Sequence, residues 1–152
     1  MGKTSLRQCM KLALETGRII LESGGATNRV ELMIHKVCSG LGYPDCESFV
    51  TPTGIFLTIS DGEEEMSTSI KRIDQRRMDL GKITEISRVV NCLYSGDCNE
   101  MTGGLTKHEY FAGELKRISH IQCGSQTSVA RQPAVFSACC SADPGLNSAL
   151  HL

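Results

Sequence analysis

From Leu6 the apolar side chains fall at Leu6, Cys9, Met10, Ala13, Leu14, Gly17, Ile20 and Leu21, one stripe of helical spacing that stops before Ser23-Gly24-Gly25. A second stripe, Val30, Met33, Ile34, Val37, Cys38 and Leu41, follows Asn28, with Glu31 three residues on as in a capping box, and ends at Gly40 and Gly42. The pattern predicts two helices packed as a hairpin. Alternation then replaces the helical period. Glu47 to Thr51, a turn at Thr51-Pro52-Thr53-Gly54, Ile55 to Ser60, the hairpin dipeptide Asp61-Gly62, and Met66 to Ile73 read as a three-stranded antiparallel meander. In the first turn Pro52 presets φ and Gly54 is expected to supply a conformation that other residues resist. Beyond Asp79, the residues Ile83, Ile86, Val89, Val90 and Leu93 mark a third helix closed by Ser95-Gly96. Thr106-x-x-Glu109 is a capping box that opens a fourth helix through Leu115 and Ile118. The order ααβββαα, with helices on either side of a meander, predicts an α+β domain whose sheet is covered on at least one face.

The pattern fails after about residue 120. Only Arg131 and Asp143 are charged from Cys123 to Leu152, and that Ser-, Ala- and Cys-rich stretch, broken by Pro133 and Pro144, holds neither period. Residues 1–120 are therefore read as the folded domain and 121–152 as an atypical tail expected to lack fixed structure. A chain of 152 residues suffices for one core without staples, so the eight Cys need not be disulfides. They form no CxxC and no framework rhythm, and most are expected to be reduced thiols. Sixteen basic against 17 acidic residues, and 5% aromatics without Trp, give neither the charge nor the stacking surface that nucleic acid requires. No run approaches the ~20 apolar residues of a membrane-spanning helix, and no secretory signal opens the chain. As written, it reads as a cytoplasmic protein. Met1-Gly2-Lys3-Thr4-Ser5 imitates both a myristoylation start and the end of a P-loop, but Leu6 spoils the first and the missing glycine loop the second.

Chemistry-bearing residues are sparse. His35 and Cys38 lie i, i+3 on the second helix with Cys46 beyond, which would offer zinc three ligands; a fourth is absent, and a buried thiol with a surface imidazole is the simpler reading. Cys139-Cys140 is a vicinal pair in the tail. The four His (35, 108, 120, 151) sit in no nucleophile-and-base context, so no enzyme, no metal and no cofactor is predicted. Glu63-Glu64-Glu65 reads as a solvated hairpin tip, and Lys71-Arg72 with Arg76-Arg77 as a charged strand end rather than an interaction patch.

Three segments together go further: Ala13 to Glu31 (ALETGRIILESGGATNRVE), Phe49 to Ile55 (FVTPTGI) and Arg77 to Ile83 (RMDLGKI). In this order they resemble the N-terminal domain of the threonine/serine exporter family. The resemblance implies a soluble, cytoplasm-facing module ahead of a bundle of transmembrane helices. The whole would export small hydroxy amino acids or related organic acids, driven by protons, and some members are split into two membrane subunits. The partners implied are the transmembrane domain or membrane subunit of an exporter and a small amino or organic acid, with a second copy of the domain as a further candidate. The resemblance selects Glu22, Ser23, Gly24, Arg29 and Glu31 in the first motif, Pro52, Thr53 and Gly54 in the second, and Asp79 and Gly81 in the third as candidate site residues. Arg29, Glu31 and Asp79 near helix starts read first as capping groups, and Arg29 with neighbouring amides as a possible seat for a carboxylate.

Where the family pattern leads to an apolar membrane segment, this chain has its polar tail. A shifted reading frame would produce that composition, and the expectation is that another frame downstream encodes runs of ~20 apolar residues. The alternative reading is a stand-alone cytosolic small-molecule-binding or regulatory module.

Overall fold

The computed structural model describes residues 4–62, 66–96 and 104–121. Residues 63–65 and the segment 122–152, for which a hairpin tip and a tail without fixed structure were expected, lie outside the described residues. The element order is α1 (Leu6–Glu22), α2 (Thr27–Gly40), β1 (Cys46–Thr51), β2 (Gly54–Ser60), β3 (Met66–Arg72), α3 (Leu80–Ser95) and α4 (Lys107–Ser119). This is the α+β order read from the sequence.

Each helix starts where the backbone amides of its first turn find an acceptor, with one exception. Ser5 and Gln8 form a reciprocal capping box on α1, Asp79 accepts from the Lys82 amide at the head of α3, and Thr106 and Glu109 form the expected box on α4. The exception is the N-cap of α2: it begins at Thr27 behind Ala26, which offers no side-chain cap, and although Asn28 Oδ1 accepts the Arg29 amide at 2.8 Å, the expected box of Asn28 and Glu31 does not form. Glu31 instead accepts the amide of Val50 at 3.0 Å, a part-buried donor on the edge strand that no neighbouring strand pairs. At the other end of α3, Gly96 (φ +81°) closes the helix in the left-handed conformation that glycine adopts without strain.

The strands form a meander in the order β1-β2-β3, with Phe49 opposite Phe56 and Phe56 opposite Ile70. Val50, Ile55, Leu57 and Ile59 face the helices and are buried. Helix α1 packs on β2 and β3 and α2 packs on β1, while α3 and α4 lie on α1 and α2 from the far side. The molecule is thus three layers deep: sheet, α1 with α2, then α3 with α4. That position explains why α1 buries eleven of its 17 residues, including Leu12, Thr16 and Ile19 beyond the predicted stripe. A helix covered on two sides cannot keep one polar face. Thr16 is tolerated there because its hydroxyl donates to the Leu12 carbonyl at 2.9 Å. Gly17 sits at a close approach of α1 to both β2 and α2, since a Cβ there would lie 2.8 Å from Ile55 Cδ1 and 2.9 Å from Ile34 Cδ1.

Candidate functional site

The amides of Ser23, Gly24 and Gly25 serve the Ile19, Leu21 and Ile20 carbonyls at the end of α1, and the segment leading into α3 supplies donors to Glu22 and Ser23 and a second one to Leu21. Arg76 Nε donates to the Leu21 carbonyl at 3.3 Å, the Arg77 amide to Glu22 at 2.6 Å and the Asp79 amide to Ser23 at 3.0 Å. The first and third sequence motifs are therefore one structural unit, although more than 50 residues separate them. Gly24, with φ +85°, turns the chain away from α1 in the left-handed region, and Met78 lies over it.

This unit forms one side of a solvent-open cavity of about 400 Å³, lined by Arg18, Ile19, Glu22, Ser23, Gln75, Arg77, Asp79, Lys82, Ser119 and Ile121. The end of α1 and the start of α3 meet there, so the negative end of one helix dipole and the positive end of another face the same space. Arg18 donates to Glu22 at 2.8 Å and also to Glu15, so its charge is already matched. The Glu15 hydrogen bond first, and Glu22 after it, raise the guanidinium pKa further against the opposing effect of burial. The same pairing holds the Glu15 carboxyl below its ordinary value. The Arg77 guanidinium and the Lys82 ammonium make no ion pair or side-chain hydrogen bond among the described residues. Asp79 uses Oδ1 to cap the Lys82 amide at 3.1 Å. Ser23, 4% exposed, contributes the buried polar wall of the cavity. Its lining is mixed, with Ile19 and Ile121 beside two uncommitted cations and a capping carboxylate, and those charges suit a small anion or zwitterion better than a purely apolar ligand.

The remaining candidates are placed elsewhere. Arg29 reaches from α2 to Ser87 on α3, donating from Nη2 at 3.0 Å, and does not line the cavity. Glu31 holds β1 to α2. Pro52 and Thr53 form the β1-β2 turn, whose Thr53 carbonyl accepts the Ile73 amide at 2.9 Å and so anchors the strand running toward Gln75. Gly54 was expected to need a special conformation; it lies opposite Thr51 in the ladder without a left-handed φ, and a Cβ there would meet only ordinary contacts. Gly81 is an ordinary residue of the first turn of α3. Of the ten candidates, Glu22, Ser23 and Asp79 line the cavity and Gly24 shapes it from behind, while Arg29, Glu31, Pro52, Thr53, Gly54 and Gly81 lie outside its lining. The polar residues lining the cavity that the motifs did not select are Arg18, Gln75, Arg77, Lys82 and Ser119. Arg77 and Lys82 stood inside the third motif, but only their position around the end of α1 places them at the cavity.

The zinc reading of His35, Cys38 and Cys46 does not assemble. Cys38 instead meets the thiols of Cys46 and Cys9, and among the described residues no group of three His, Cys, Asp or Glu is placed to hold a metal ion. Cys9, Cys38 and Cys46 are free thiols. Cys38 donating to Cys46 raises its own pKa and lowers that of Cys46.

The family model described as "Putative threonine/serine exporter" matches residues 11–122, a span that includes all three motifs and nearly the whole described fold. The chain belongs to this family. No curated protein and no solved structure gives a significant match to it. The family is one of transporters rather than enzymes, and an exporter acts at a membrane in its intact form. Among the described residues no helix is long and apolar enough to cross one.

Proposed function

We propose that this chain is the extramembrane domain of an exporter of small hydroxy amino acids or related small organic acids, and that it binds such a solute in the cavity between α1 and α3. The observation that carries the reading is the pairing of uncommitted Arg77 and Lys82 with Asp79 and Glu22 around one opening of about 400 Å³. A carboxylate would lie toward the uncommitted Arg77 guanidinium and Lys82 ammonium at the positive end of the α3 dipole. The ammonium of an amino acid would lie toward Asp79 and Glu22 at the electronegative end of α1. Ser23 and Ser119 line the cavity and are the hydroxyl partners for the hydroxyl of such a solute. The domain faces the cytoplasm in this reading and meets the transmembrane part of the exporter as its partner.

Titration of the full chain with L-threonine, L-serine and glycolate, followed by ¹H–¹⁵N NMR, tests the site. Lys82→Ala is expected to weaken all three ligands. Asp79→Asn keeps the helix cap, because Asn caps as well as Asp, but removes the charge; it is expected to weaken the amino acids and spare glycolate. Absence of shifts around the cavity at millimolar ligand would overturn the binding role. In an intact exporter, retained transport by Lys82→Ala at unchanged protein level would exclude the cavity from the transport cycle.

A further inference from the structure

The outer face of the sheet is built against the usual logic of a half-buried meander. Strand β3 turns Ser67, Ser69 and Lys71 toward the helices and its two large apolar side chains, Met66 and Ile70, outward. A shift of one residue would have buried both. Ile70 instead completes a row straight across the sheet, Phe49–Phe56–Ile70, with the two rings 6.1 Å apart and exposures of 64%, 41% and 64%. On one side the row is bordered by Glu47, Thr58 and Thr68, the two hydroxyls hydrogen-bonded at 3.0 Å; on the other it is bordered by Thr51, Gly54 and Arg72.

We propose that this face is the contact between two copies of the chain, packed sheet on sheet about a two-fold axis through Phe56. An apolar centre within a polar rim is the anatomy of a protein interface. A lipid surface fits less well, because seating the row in hydrocarbon would also desolvate the threonines, Glu47 and Arg72 around it. The charges supply the argument for a second copy. Glu47 and Arg72 occupy diagonally opposite corners, so a two-fold axis along the other diagonal sets Glu47 of each copy over Arg72 of its partner, twice. The strands of the two sheets then cross steeply, as in orthogonal sheet packing. Arg72 is available for this, since its present partner Asp74, at 3.2 Å, is a highly exposed ion pair. The area suffices. Phe49, Phe56, Ile70 and Met66 present roughly 500 Å² per copy, from the 150–250 Å² that side chains of this size carry. With rim and backbone the pair reaches the lower part of the range for specific interfaces, about 1,200 Å² and upward.

Sedimentation of the full chain from about 1 to about 100 µM, a window that spans micromolar dissociation constants, under reducing conditions that exclude intermolecular disulfides, is the test. The expected result is a concentration-dependent dimer. Phe49→Thr with Ile70→Thr, which keeps strand propensity, should raise the dissociation constant by about 100-fold, as loss of two central apolar anchors does, with an unchanged far-ultraviolet spectrum. Glu47→Lys should weaken the dimer and Arg72→Glu in the same chain should restore it, and this exchange carries the test if the double threonine variant does not fold. A parent chain that stays monomeric, whether because it binds vesicles or because its own residues 122–152 cover the face, overturns the proposal. So does a dimer unmoved by the threonine pair, or a charge exchange without rescue.

Discussion

Glu31 offers the sharpest test of whether a residue in the first motif serves a ligand or the fold. Its carboxylate accepts the Val50 amide at 3.0 Å and joins α2 to the edge strand β1, with Val50 itself buried. A hydrogen bond to a charged group is worth about 1.5–3 kcal/mol, and leaving a partly buried amide unmatched costs a similar amount. Glu31 is half-buried, so water can replace part of the interaction, and alanine returns a few tenths of a kcal/mol in helix propensity. The net expectation for Glu31→Ala is a loss of about 1–2.5 kcal/mol, or roughly 3–10 °C in Tm for a chain of this size. Glu31→Gln keeps a neutral acceptor and should lose about half as much. The assay is urea unfolding in reducing buffer followed by circular dichroism, with the slope m checked for constancy so that the midpoint reports stability. If Glu31→Ala leaves the midpoint within about 0.5 kcal/mol of the parent at the same m, the joint between α2 and β1 is not what Glu31 provides. Weakened solute binding at unchanged stability would then place it in the site instead.

Two glycines should behave differently. A Cβ at Gly25 would lie 2.4 Å from Ile20 Cγ2 and 2.9 Å from the Ile20 carbonyl, which cannot move without unwinding the end of α1, so Gly25→Ala is expected to cost about 2 kcal/mol or more by overpacking. At Gly17 the close atoms are the tips of isoleucines and the helix gains about 1 kcal/mol of propensity, so Gly17→Ala should cost clearly less in the same unfolding assay. Asp79→Ala removes the cap of α3 and should lower stability by about 0.5–2 kcal/mol, with hydrogen exchange rising first at the Lys82 amide, whereas Asp79→Asn should not. Cys46, whose pKa is lowered by the hydrogen bond from Cys38, should be alkylated by iodoacetamide well before Cys38 when the native protein is mapped by peptide mass spectrometry; equal rates would refute that donor assignment. The Glu15 carboxyl is held below its ordinary value of 4.5 by Arg18, so its contribution to stability is present above that value and is lost as pH falls through the lower folded-state pKa. Glu15→Gln should flatten the acid limb of the stability profile, and an unchanged limb would show that the pair is silent.

Much of the fold was legible because its determinants are local. The helical stripes, the Asp61-Gly62 and Pro52-Thr53 turns, Gly96 at the end of α3 and the Thr106–Glu109 box each act within a few residues, and the elements they imply are those observed. Local chemistry misled where a distant partner competed for the same group. Glu31 was read as a helix-capping carboxylate because it stands three residues after Asn28, yet an unpaired strand amide from another layer takes it. Gly54 was credited with a special conformation that the ladder pairing with Thr51 does not require. The second face of α1 and the outward turn of Met66 and Ile70 are also invisible in the chain order, because burial depends on what lies on each side of an element.

The candidate site divides in the same way. Sequence alone determined that the chain belongs with the exporters and that three short motifs carry the likeness, since those motifs are contiguous strings. Only the tertiary structure decided that two of them are a single unit. The Glu22 and Ser23 carbonyls at the end of α1 take their donors from the Arg77 and Asp79 amides, and those hydrogen bonds bring Arg77, Asp79 and Lys82 beside Glu22 and Ser23. A charged residue becomes part of a site through what surrounds it, and those surroundings come from segments far away in the chain.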